Sequence, residues 1–273
     1  VTMWHCCGKN VPRAGLASVL LLGISLSSMA RPVYQLHWQH RFSETQQQQL
    51  QQWLDFSADA TTALLGPYPF TMQLYLYHRP GKEPVPWANT WRDGAQQVHF
   101  YVDPRFNLSH FQQDWTGYHE MAHLALPFLG KDHAWFAEGF ASFMQYQIMA
   151  QAGVIDSATN AIGAKFARQR QHYLNQHSMR DNARKLLKAR RYAAGYWGGA
   201  QFFVIADQLL QQHHKGSLAQ LIARYQQCCR LKDDSLEQVI ASLDKLSDSQ
   251  LFSDLLQQFS QQDASTLLQR YGL

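Results

Sequence analysis

The sequence predicts an α+β fold: a small mixed β-sheet with a packed helix, followed by a mainly helical region. Three observations lead there. Two segments near the start, VYQLHWQHRF and PFTMQLYLYH, have strand character, and a stretch of helical spacing lies between them. AQQVHFYVDP, residues 95–104, reads as a third strand. From about residue 109 onward almost every segment carries a 3.6-residue apolar repeat, down to the terminal ASTLLQRYGL.

The elements follow in order. Lys9 and Arg13 precede the apolar run Ala14 to Ser28, and Ser28-Met29-Ala30 offers small residues where a signal peptidase reads. That run is short for a membrane span, which needs about 20 residues. Residues 1–30 therefore read as a signal peptide cleaved near Ala30, giving a secreted or periplasmic protein with no stable membrane insertion afterwards. The competing reading is an anchor formed by an uncleaved N-terminal segment. Residues 31–108 read as the β-containing N-terminal part of one folded unit, and residues 109–273 as its helical part. In SETQQQQLQQWLDFSADATTALLG, Leu50, Trp53, Leu54, Ala60 and Leu64 recur at helical spacing, so the glutamine runs read as a solvated helix face. Residues 79–94, rich in Pro, Gly and Trp, read as a loop. The strand at 95–103 precedes the most informative motif and is expected to be a sheet edge, where an extended peptide could add as another strand.

Residues 119–123 are HEMAH. On a helix the four-residue spacing puts His119 and His123 on one face, close enough to share a metal ion, and Glu120 can reach water bound to it. Met121, Ala122, Leu124, Ala125 and Leu126 supply the apolar body of that helix, with Asp114 as a candidate cap and Pro127 at its expected end. Catalytic zinc usually takes three protein ligands and leaves one position for water. No third histidine follows at the spacing seen in some zinc hydrolases, because positions 126 and 129 are leucines. Fourteen residues separate His123 from Glu138, which lies in WFAEGFASFMQY, a second helix expected to be capped by Asp132 and to end at Gly153. Two helices joined by a short turn bring Glu138 to the metal. His133, in the connecting loop, is the rival ligand.

HEMAH followed by WFAEGFAS resembles the gluzincin zinc metallopeptidases, the clan of thermolysin and aminopeptidase N, and most closely its small peptidase-MA-like members with a WxxEG second motif. The resemblance implies a thermolysin-like catalytic domain with one Zn2+ per chain, held by His119, His123 and Glu138, and Glu120 as general base. The residue before the third ligand is commonly Asn in the clan and is Ala137 here, so one supporting contact is absent or supplied otherwise. Relatives of aminopeptidase N also carry a tyrosine three residues before a glycine at a helix start, whose hydroxyl bonds the oxyanion. Tyr196 with Gly199 fits, and Tyr192 with Gly195 is the alternative. GAQQV falls where those relatives carry GxMEN, which implies substrate contacts at Gln97, Val98 and His99. Gln97 replaces the glutamate that binds a free amino terminus, which favours endopeptidase over aminopeptidase action.

The expected activity is hydrolysis of peptide or protein substrates by water activated on zinc. Two other readings use the same residues: a catalytically silent, zinc-stabilised binding protein, and a zinc amidohydrolase acting on a non-peptide or cell-wall amide. Removing Lys9 and Arg13 from 24 basic residues leaves 22 against 20 acids, a net charge of +2 that asks for no nucleic-acid partner. Residues 180–191, RDNARKLLKARR, concentrate six cations against one acid; a solvated helix face competes here with a basic rim favouring acidic substrates. Outside the leader only Cys228 and Cys229 remain, expected as a reduced pair rather than a bridge between neighbours.

Overall fold

A computed structural model describes residues 34–92 and 94–273. The signal-peptide reading falls outside them. Its first part is a four-stranded sheet with one helical crossover: β1 (Tyr34–Trp38), α1 (Glu44–Leu65), β2 (Met72–His78), β3 (Trp87–Trp91) and β4 (Gln97–Val102). Ser43 caps α1 by accepting the Gln46 backbone N–H, and the Gln46 side chain bonds back to the Ser43 N–H. The glutamine-rich segment is thus ordered helix, as expected, burying Leu50, Trp53 and Leu54.

The spatial order of the strands is β1-β2-β4-β3. β1 pairs with β2 and β2 with β4 in parallel, while β3 pairs antiparallel to β4. β3 lies within the segment read from sequence as a loop. Its WANTW has no apolar alternation to announce a strand, because it sits at the rim and both its tryptophans are exposed. β4 is an interior strand, paired on both sides, and the edge is β3.

The helical part comprises α2 (Leu108–Gln113), α3 (Thr116–His123), α4 (Ala134–Gln151), α5 (Ala158–Ala167), α6 (Met179–Lys188), α7 (Tyr192–Gln212), α8 (Leu218–Cys228), α9 (Leu236–Ser247), α10 (Leu251–Gln261) and α11 (Ala264–Arg270). No helix among the described residues is long and apolar enough to cross a membrane. Two apolar cores form. One joins α1 to the inner face of the sheet; the other fills the helical part. α3 lies on the seam, giving Met121 to the first and Tyr118 and Ala122 to the second.

Some end signals hold and others do not. α4 ends before Gly153, which has φ 71°. α3 stops at His123, four residues before Pro127. Asp132 caps nothing: it lies in a short 3-10 turn, Lys131–His133, and faces Arg184 at 3.3 Å. Cys228 and Cys229 are bridged rather than reduced. α8 ends between them, and the departure from helical geometry at Cys229 (φ −128°) lets adjacent sulfurs meet.

α4 and α7 cross at a contact only glycine permits. A Cβ on Gly139 would lie 2.3 Å from the carbonyl carbon of Gly199, and one on Gly199 would lie 2.1 Å from the Trp135 carbonyl oxygen. Gly139→Ala is expected to destabilise the fold by about 1–3 kcal/mol in chemical denaturation, because backbone cannot yield as a side chain would. Gly163→Ala, in α5 with open space around the new methyl, serves as the control and should be neutral or stabilise by about 0.5–1 kcal/mol. Equal effects at the two positions would contradict this account of the crossing.

Candidate metal centre

α3 presents His119 and His123 one turn apart, as the spacing requires, with ring centroids 4.7 Å apart and planes perpendicular. Glu138, in the first turns of α4, reaches both: its Oε2 lies 3.3 Å from His119 Nε2 and 3.4 Å from His123 Nε2. One ligand atom from each of the three residues falls within 4.8 Å of the others. His133 lies outside this group, on the turn before α4.

The environment is dry and directional. His119 and His123 are 2% and 4% exposed. Gln145 Oε1 lies 2.7 Å from His119 Nδ1, so the amide oxygen accepts an N–H there and leaves the Nε2 lone pair facing Glu138. Gln145 was not foreseen in the sequence. The signal was its position seven residues after Glu138, two turns along the same face of α4. It gives His119 a supporting contact where the residue before the third ligand, Ala137, has none to offer.

Charge in the centre is balanced by contact. Burial acts to raise Glu138, but the two imidazoles outweigh it and hold its carboxyl well below the usual range. Burial opposes a charge on His119, yet its contact with the Glu138 carboxylate prevails and raises it; burial keeps His123 below the ordinary histidine value. Two imidazole nitrogens and one carboxylate oxygen, converging in a buried spot and open on one side, fit zinc with a fourth position left for water. They do not fit calcium or magnesium, which seek oxygen.

Glu120 is 8% exposed and lies at the same cleft. The Thr90 hydroxyl, on β3, donates to Glu120 Oε2 at 2.6 Å and lies 3.0 Å from the Glu120 carbonyl oxygen. Thr90 thus ties the edge strand to the motif, a link hidden while residues 79–94 read as loop. Asp114 accepts the Thr116 N–H at 2.8 Å, so it steadies the start of α3 although Trp115 is the boundary residue.

The end of α3 is held by side chains from elsewhere. Tyr68 donates to the Met121 carbonyl (2.8 Å), Arg92 to that of His123 (2.8 Å), Arg230 to that of Leu124 (2.9 Å) and Gln226 to that of Ala125 (3.0 Å). Burial lowers Arg92 to about 10 and also lowers Arg230, yet both guanidiniums face the negative end of the helix dipole.

Tyr196 lines the metal cleft with its ring centroid 6.0 Å from that of His119. Burial raises its phenol far above the ordinary value, with Glu138 and Glu120 adding to the effect, so it stays a hydrogen-bond donor. Tyr192 is half exposed and lines only the adjoining cavity. Gln97, Val98 and His99 do not line the cleft. Val98 is buried in the sheet core, and His99 stacks on Tyr75 on the opposite face at 4.6 Å. Residues of β3, from Trp87 to Thr90, line the cleft in their place. The preference for endopeptidase action drawn from Gln97 therefore loses its basis.

Solved structures share the general fold over part of their length. The fold is similar to that of M1 zinc metallopeptidases. The M1 zinc metallopeptidase of Deinococcus radiodurans superposes with a TM-score of 0.50 at 13% identity, over 85% of this chain and 49% of that one. A mutant of that enzyme gives 0.50 at 13% identity, over 86% and 50%. The chain spans about half the length of these structures. No family model matches the sequence, and no curated protein does.

Two outcomes are expected of this centre. Zinc affinity, measured by chelator competition, should fall from about pH 8 to about pH 5.5, because raising His119 makes protons stronger competitors for its Nε2; a flat profile would argue against histidine ligation. Arg230→Met should cost about 1.5–3 kcal/mol in thermal or urea unfolding by leaving the buried Leu124 carbonyl without its partner. An unchanged midpoint would show that the clamp carries no load.

Proposed function

We propose that the chain is a zinc-dependent metallopeptidase that hydrolyses peptide bonds with Glu120 as general base. The observation that carries the reading is the convergence of His119, His123 and Glu138 within 4.8 Å beside an open sheet edge. Zinc bound there would supply a Lewis acid able to bring the pKa of water to about 7. The protein's own groups do the rest. Glu120, aimed by Thr90, takes a proton from the attacking water and returns it to the leaving amine nitrogen as the C–N bond breaks. The Tyr196 phenol donates a hydrogen bond to the oxyanion of the tetrahedral intermediate.

The unpaired rim of β3 is the place for an extended substrate, whose backbone would pair with residues 88–90. The cleft continues on both sides of Glu138 and Tyr196, with about 450 Å³ on the β3 side and about 730 Å³ on the other. Room on both flanks supports cleavage inside a chain rather than only at its end. Export through the leader remains part of this proposal, and the bridge at Cys228 and Cys229 is a form that oxidising compartments preserve.

Glu120→Gln is expected to retain zinc and lose turnover, while His119→Ala loses both; metal analysis beside a peptide-cleavage assay separates them, and an active Glu120→Gln protein refutes the base assignment. Tyr196→Phe should lower kcat by about 10²–10³-fold with little change in KM, whereas Tyr192→Phe should leave both unchanged.

A further inference from the structure

The cavity beyond Glu138 and Tyr196 has a chemical character of its own. It lies between the start of α4 and helices α6 and α7, over an apolar floor that includes Trp135 and Leu187. Its walls carry Lys131, Arg184, Lys185 and Lys188. Within the basic run 180–191, positions 181, 184, 185 and 188 form one helical face, and that face is the one turned into the cavity; Arg190 and Arg191 do not line it. Lys131, Arg184, Lys185 and Lys188 are all exposed, so they stand at the rim of the cavity with their charged groups in reach of solvent.

The counter-charges are incomplete. Of the two aspartates present, Asp132 is 3.3 Å from Arg184 and Asp181 is 3.8 Å from Arg180. Among the described residues, Lys131, Lys185 and Lys188 have no carboxylate within 4.0 Å. Three ammonium groups thus stand around a concave, partly apolar volume that opens onto the metal group. Cations gathered in a cleft with low-dielectric walls focus their field there even when net charge is small.

We infer that this cavity is a carboxylate-selecting subsite, an inference that rests on the peptidase reading. It favours substrates that place a carboxylate on the side of the scissile bond facing α6. An acidic side chain and the substrate's own C-terminal carboxylate offer the same chemistry. Flexible lysine ammoniums suit either, since they act as mobile point charges and impose no planar geometry.

The test uses matched peptides that differ only in Glu or Asp against Gln or Asn near the cleaved bond, each made as free acid and as C-terminal amide. Cleavage by the zinc-loaded protein gives kcat and KM. Fluorescence anisotropy with zinc-loaded Glu120→Gln protein gives binding without turnover. The acidic member of a pair should show about tenfold higher kcat/KM, chiefly through KM, and should bind about tenfold tighter, with the advantage shrinking in about 0.5 M salt. Loss of the preference on amidation assigns it to the C-terminus; loss on exchange of Glu for Gln assigns it to the side chain. Lys185→Gln/Lys188→Gln should abolish the preference while the neutral peptide is cleaved as before, and Lys188→Glu should shift it toward basic peptides, which a merely structural role would not do. Equal cleavage and binding of acidic and neutral peptides overturns the inference. Failure to cleave any peptide counts against the peptidase reading alone, because the anisotropy comparison still decides the subsite.

Discussion

A helix of eight residues cannot hold two imidazoles in place by its own hydrogen bonds, since so short a segment is unstable alone in water. The centre depends on how α3 is fixed from outside. Four backbone carbonyls in its last turn and just past it, those of Met121, His123, Leu124 and Ala125, receive side-chain donors: Tyr68 and Arg92 from connecting segments, Arg230 from just beyond α8 and Gln226 from α8. A buried helix end without such partners would leave several carbonyls unsatisfied, at a cost of about 1–3 kcal/mol each. The two guanidiniums also meet the helix dipole at its negative end. His119 and His123 are thereby set before any ligand arrives, which is the condition for a strong metal site.

The other half of the centre is placed by the crossing of α4 and α7. Gly139 follows the third ligand directly, and Gly199 follows Tyr196 by three residues, so one close backbone contact fixes the carboxylate and the phenol relative to each other. The same crossing forms a wall of the cavity that carries the lysines. The Glu138 carboxylate, the Tyr196 phenol and the lysine-lined cavity are therefore parts of one packing arrangement, joined to the sheet through Thr90 and Glu120.

Much of this was legible in the sequence, and the failures have physical causes. The α+β order, the glutamine-rich helix and the grouping of His119, His123 and Glu138 follow from periodicity and spacing, which are local properties. β3 was missed because an edge strand with both tryptophans in solvent lacks the alternation that burial imposes. Missing it misplaced the sheet edge by one strand, and Gln97 and His99 lie on the face away from the cleft that β3 lines. Thr90, Gln145, Arg92 and Arg230 act over separations of 26 to 106 residues from their partners on α3, too long for any local pattern to reveal. Asp132 looked like a helix cap because composition alone does not register the 3-10 turn that carries it past that role.

X-ray absorption at the zinc edge of the reconstituted protein tests the central claim most directly. The account predicts two imidazole nitrogens with light oxygen donors completing the shell, no sulfur, and a change in the shell when Glu138 is replaced by Gln. A sulfur ligand, a single imidazole, or a shell unaltered by Glu138→Gln would show that the metal lies elsewhere and that the proposed centre is not one.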